Sequence, residues 1–115
     1  METEQALLAF AALSQPTRLQ AFRFLVKAEP QGISAGDLAH MLAVPANTLS
    51  AHLSVMTRAG LVRGERHSRT ILYRARLEEL RELVGFLLKD CCEGRAEICN
   101  PILDDITCCV KGDCT

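Results

Sequence analysis

The feature that most constrains this chain is a pair of short helical patterns separated by almost nothing. In "SAGDLAHMLAVPANTLSAHLSVMTRAG", Ser34 stands three residues before Asp37, which resembles a capping box and opens a short helix carrying Leu38 and Leu42. Pro45 then begins a second helix that runs to about residue 59 and is ended by Gly60. Leu49, Leu53 and Met56 recur at i, i+4 and i+7, so one face of this second helix is core. Two short helices a tight turn apart predict a helix-turn-helix.

The flanking segments complete a recognisable order. Residues 4–13 are rich in Ala and Leu and predict a helix with little polar surface. A second helix is expected with Ser14 as its N-cap and Pro16 in its first turn, with Leu19, Phe22 and Val26 on its core face and Pro30 stopping it. "QGI" reads as a turn. After Gly60, "GLVRGERHSRTILYRAR" has β-branched, aromatic and basic residues on both sides of a polar tip around residues 65–68, which predicts a β-hairpin. From Leu77 a last helix places Leu77, Leu80, Val84, Leu87 and Leu88 on one stripe, and Gly94 is its expected cap. The expectation is a mainly α fold with a β-hairpin wing, a winged helix-turn-helix. Both terminal helices carry more apolar surface than so small a core needs, so dimerisation through them is expected. Residues 1–100 are read as this domain and residues 101–115 as a cysteine-containing tail.

Charge places a function on this frame. The chain of 115 residues has a net charge of −1, but residues 45–76 contain six arginines (Arg58, Arg63, Arg66, Arg69, Arg74, Arg76) against Glu65 alone, a net +5. The remainder holds seven basic and thirteen acidic residues, a net −6. A basic segment inside an acidic protein is the footprint of a nucleic-acid-binding face, with a solvated strip as the bland alternative. The outward face of the Pro45 helix, formed by Asn47, Ser50, Ala51, Ser54 and Arg58, is small or polar and can enter a major groove closely. Thr48 lies near the helix start, where recognition helices usually touch bases. His52 falls on a flank, with phosphate contact and a structural role both open. Arg66, His67 and Arg69 on the wing would reach the adjacent minor groove or backbone. Glu2 and Glu4 stand where a signal peptide needs positive charge, so a cytoplasmic protein is expected. No constellation of nucleophile, base and anion-binding loop points to an enzyme.

The segments "LSQPTRLQAFRFLV" and "DLAHMLAVPANTLSAHLSVMTRAGLVRGERHSRTILYRA" resemble the ArsR/SmtB family of metal- and metalloid-responsive repressors over residues 13–99. The resemblance rests on Pro16-Thr17-Arg18-Leu19, Leu49-Ser50-Ala51-His52-Leu53, Ala59-Gly60-Leu61-Val62 and a hairpin ending in Tyr73. It implies a homodimer on a palindromic operator, released by an inducer. Carried over by residue, it implies DNA contacts from Asn47, Thr48, Ser50, Ala51 and His52 in the recognition helix and from Arg66 and Arg69 in the wing.

The inducer must be read from this chain's own residues, because family members place sensing sites on different elements. All six cysteines lie beyond residue 90. In a reducing compartment such crowding speaks for soft-ion binding or redox response rather than a disulfide framework. The helix before the recognition helix reads Ser34-Ala35-Gly36-Asp37-Leu38, without the Cys-x-Cys pair found there in some arsenite sensors, and residues 77–92 contain no histidine for a zinc site. Cys91, Cys92 and Cys99 remain, and three thiolates suit arsenic(III), with antimony(III) alongside. "CCEGRAEIC" also resembles the helix-end site of an arsenite-responsive branch of the family. Cadmium or lead, thiol oxidation and inert cysteine are the competing readings. Cys108, Cys109 and Cys114 lack the paired spacing of a zinc ribbon.

Overall fold

A computed structural model describes residues 1–91, the side chains of residues 89–91 excepted. Its elements are α1 (Thr3–Leu13), α2 (Pro16–Lys27), β1 (Ile33–Ser34), α3 (Ala35–Leu42), α4 (Ala46–Arg58), β2 (Val62–His67), β3 (Thr70–Ala75) and α5 (Leu77–Cys91). One unit comprises residues 1–82, and a second begins at Leu83. The architecture is the mainly helical, winged helix-turn-helix expected from the sequence.

In the first unit, α4 packs against α1, α2 and α3. Leu25, Leu38, Leu49, Leu53, Met56 and Leu61 form its fully buried centre. Ser34 caps α3 by accepting a hydrogen bond from the Asp37 amide at 3.1 Å. The helix-turn-helix corner is made by Ala43 in the left-handed conformation, with the Val44 amide donating back to the Ala39 carbonyl at 3.1 Å. Gly60 ends α4 with φ of +80°, a conformation open to glycine at no steric cost. The Leu61 amide then bonds the Met56 carbonyl at 3.0 Å, and Leu61 is itself buried, as in a Schellman stop.

Three local expectations are corrected. The N-cap of α2 is Gln15, whose side chain accepts from the Arg18 amide at 2.8 Å, while Ser14 closes α1 by donating its hydroxyl to the Ala11 carbonyl. The buried face of α2 is Ala21, Phe22 and Leu25, and Leu19 is exposed, because the helix presents its Ala and Leu side to the bundle. "QGI" is more than a turn: Ile33 and Ser34 pair with Tyr73 and Leu72, giving a three-stranded antiparallel sheet in the order β1-β3-β2. Gly32 allows this pairing, since a Cβ there would meet the Tyr73 carbonyl at 2.8 Å.

The terminal helices differ from α4 in how they use their apolar residues. α1 buries Ala6, Ala9 and Ala12 and exposes Leu7, Leu8 and Phe10. On α5, Leu77 and Leu87 of the expected stripe are exposed, whereas Leu83, outside that stripe, is buried. Among the described residues no helix is long and apolar enough to cross a membrane.

Candidate nucleic-acid interface

The recognition surface is built from α4 outward. Leu49, Leu53 and Met56 are each at most 1% exposed and pin one side of the helix into the core. The opposite side of the helix is then obliged to face solvent, and Asn47, Thr48, Ser50, Ala51, Ser54 and Arg58 are all exposed. The Asn47 side chain accepts from the Thr48 amide at 3.0 Å, satisfying one of the free donors at the helix start. No side chain on this face before Arg58 is larger than asparagine, so nothing keeps the helix from approaching base edges.

His52 is set apart from these neighbours. It is half-buried, and its Nδ1 lies 3.2 Å from Nη1 of Arg18, 34 positions earlier. His52 thus has a partner within the fold. No periodicity argument connects these two residues, and Arg18 was visible only as part of the Pro16-Thr17-Arg18-Leu19 motif.

The wing is the second reading element. β2 and β3 pair in register from Val62↔Ala75 to His67↔Thr70. The turn therefore sits at Ser68 and Arg69, not across residues 65–68, because Glu65, Arg66 and His67 are strand residues. Arg66 and Arg69 are exposed.

An ion cluster stands behind the wing. Arg74 donates through Nε and Nη2 to both carboxylate oxygens of Glu29, at 3.0 and 2.9 Å, a fork-on-fork pair. Its Nη1 reaches Glu65 at 3.4 Å, and Glu65 also meets Arg63 at 3.3 Å and the His67 ring at 3.8 Å. Burial by itself pushes the Glu65 carboxyl up, but the Arg74 hydrogen bond and the charges of Arg74, Arg63 and His67 outweigh it and hold the group below its ordinary 4.5. The hydrogen bond to Glu29 raises the Arg74 guanidinium still further above its ordinary range. Arg76 pairs with Glu79 at 3.8 Å. Arg63, Arg74 and Arg76 are thus committed to carboxylates, and among the described residues Arg58, Arg66 and Arg69 form no ion pair. The charge step in the sequence overstates what the surface offers DNA, and these three arginines are what it leaves.

The sensing site expected at Cys91, Cys92 and Cys99 lies outside the described residues except for the backbone of Cys91, the last residue of α5. The cap expected at Gly94 lies outside them too. Among the described residues no group of three His, Cys, Asp or Glu side chains is placed to hold a metal ion.

Comparison with known proteins agrees with this geometry. Residues 13–65 match the model of a helix-turn-helix domain family. The solved structure of an ArsR-like transcriptional regulator from Rhodococcus sp. RHA1 superposes with a TM-score of 0.72 at 30% identity, covering 90% of this chain and 91% of that one. A structure described as a possible transcriptional regulator for arsenical resistance matches with a TM-score of 0.56 at 29% identity, over 64% of this chain and 73% of its own. The HTH-type transcriptional regulator KmtR of Mycobacterium tuberculosis is 37% identical over 75 residues, 65% of this chain. The match spans 55% of that regulator's length. With its helix order, its wing and its small, polar, outward-facing recognition helix, the chain belongs to the ArsR family of winged-helix DNA-binding transcriptional regulators.

Proposed function

We propose that this regulator is a cytoplasmic, arsenite-responsive repressor: a homodimer holds a palindromic operator and releases it when As(III) is captured by the thiolates of Cys91, Cys92 and Cys99. The observation that carries the reading is an exposed, small and polar surface on α4 in a chain whose three thiols begin at Cys91, the last residue of α5. Arsenic(III) takes three thiolates in a pyramid, and soft sulfur donors with no hard oxygen or nitrogen suit it, as they suit antimony(III). Likeness to a possible transcriptional regulator for arsenical resistance supports the same inducer class.

The homodimer is supported by α1, which turns Leu7, Leu8 and Phe10 to solvent while its alanines face the core. Two copies place two recognition helices about one DNA turn apart in successive major grooves. Asn47, Thr48, Ser50 and Ala51 meet base edges or phosphates there, and Arg58, Arg66 and Arg69 supply charge. On an intact helix Cys91 and Cys92 point about 100° apart, so gathering both on one ion with Cys99 reorganises the helix end. Because α5 also carries part of the expected dimer surface, that change alters the spacing of the two reading heads. Linkage then requires operator and arsenite to weaken each other by the same factor, commonly about 1 to 3 kcal/mol.

The test is fluorescence anisotropy of the reduced protein on operator DNA, titrated separately with arsenite, cadmium, lead and an oxidant. Release by arsenite and its loss in Cys99→Ser are expected. Arg66→Ala and Arg69→Ala should each lower affinity and reduce the salt slope by about 1 while leaving arsenite binding intact. Release by cadmium, lead or oxidant without arsenite would replace the inducer and keep the repressor. Loss of the response in Cys108→Ser or Cys114→Ser, with Cys99→Ser silent, would show that the wrong thiols are assigned.

A further inference from the structure

We propose that Arg18 is a positioning residue for DNA binding, which ties the last turn of α1 to the recognition helix through His52 and fixes the imidazole as a single-donor contact for a DNA phosphate. The proposal rests on the DNA-binding reading above and extends it to a residue on neither reading element.

Three bonds meet at Arg18. Its amide is held by the Gln15 side chain at 2.8 Å, which sets the start of α2. Its Nε donates to the Ala12 carbonyl at 2.7 Å. Ala12 lies in the final turn of α1, where carbonyls have no partner within the helix and the helix dipole is negative, so a cation is the complementary cap. Its Nη1 lies 3.2 Å from His52 Nδ1.

The third bond has only one chemical reading. A guanidinium offers N–H donors and no acceptor, so Nδ1 of His52 accepts and carries no proton. The neutral ring then holds its proton on Nε2, which is left as its only donor. His52 is half-buried at the edge of a face whose other members are exposed, the place from which a rigid side chain meets backbone phosphate rather than base edges. Without Arg18 the ring is free to exchange tautomers and to rotate, and the donor is no longer preset.

The link also has a mechanical consequence. α1 exposes Leu7, Leu8 and Phe10, and Ala12 is one turn or less from Phe10. A shift of that turn is therefore felt directly by Arg18 and passed to the middle of α4. This route from α1 to the DNA face does not pass through the wing.

The experiment uses the full chain and a duplex selected from a random pool by the wild-type protein. Arg18→Met keeps the apolar stem and removes every donor. It and His52→Ala should each weaken binding about ten-fold, the scale of one hydrogen bond to a charged group. If Arg18 acts through His52, the double variant should bind no more weakly than His52→Ala alone. In wild-type protein, nitrogen NMR of the His52 ring should report the Nε2–H tautomer, and Arg18→Met should give a mixture. Losing the same factor from Arg18→Met in the His52→Ala background, or finding the wild-type proton on Nδ1, overturns the proposal. The NMR result decides even if Arg18→Met does not fold. Failure of the wild-type protein to enrich any sequence from the pool would instead overturn the DNA-binding reading itself, a result distinct from specific binding that is indifferent to Arg18 and His52.

Discussion

The recognition helix and the wing both turn exposed polar or basic side chains to solvent but are held in place by different means. α4 is anchored by Leu49, Leu53 and Met56, all buried, and its outward residues owe their direction to that apolar grip. The wing has far less behind it. Ile71 is exposed and Tyr73 only half-buried; Val62 and Ala75 are buried at the base of the hairpin and β1 pairs with β3, while the Arg74–Glu29 ion pair ties β3 to the segment after α2 and Glu65, on β2, bonds Arg74 within the wing. Apolar burial has no charge to titrate or to screen, whereas ion pairs respond to both acid and salt. One reading element is therefore held by apolar burial, and the other in part by groups that the solution can loosen.

The strongest way to break this contrast is Leu53→Ala. Removing a fully buried leucine from the centre of the bundle is expected to cost about 2–5 kcal/mol, read as a large drop in Tm and in the denaturant midpoint. A variant with near wild-type Tm would mean that α4 is not held by its core face.

Arg74→Met should have a smaller effect on Tm, since it removes a charged strap and leaves an apolar stem of similar length. Its mark is elsewhere: the wing should gain freedom, amide exchange in β2 and β3 should rise, and exchange in α4 should stay as it was. Equal loss of protection in both elements would merge what the comparison separates.

The smallest expected effect concerns pH. The Glu65 carboxyl is held below 4.5 in the folded protein, so its ionised form contributes stability that is complete above the ordinary carboxylate value and is lost as pH falls through the lowered one. Glu65→Gln should therefore be slightly less stable than wild type at neutral pH, with the gap closing in acid below 4.5. A gap that is the same at both ends of the titration would remove Glu65 from the wing's support.

Much of the fold was legible from the chain alone because its signals are local. The Ser34 cap, the Gly60 stop and the Leu49, Leu53 and Met56 spacing each act within a turn or two of helix, and all three stand where the residues place them. Local signals failed where two sites compete for one role. Ser14 was expected to cap α2, and the structure uses Ser14 to close α1 and Gln15 to open α2. On α2 more than one apolar stripe exists, and only the bundle decides that Leu25 is buried while Leu19 is not.

The recognition face followed from one helix's periodicity, so its residues could be named in advance. The long-range ties beside the two reading elements could not, because each spans a long stretch of sequence: Arg18 meets His52 across 34 positions and Glu29 meets Arg74 across 45. What the sequence by itself determined was the order of elements, the helix-turn-helix and its small polar reading face, together with a cluster of six thiols beyond residue 90. What only the tertiary structure decided was the third strand at Ile33, which arginines of the basic segment pair with carboxylates, and the tie from α1 to His52. Periodicity and caps are written within a few residues of one another, whereas the pairing of a particular cation with a particular acceptor exists only once the chain has brought distant segments together.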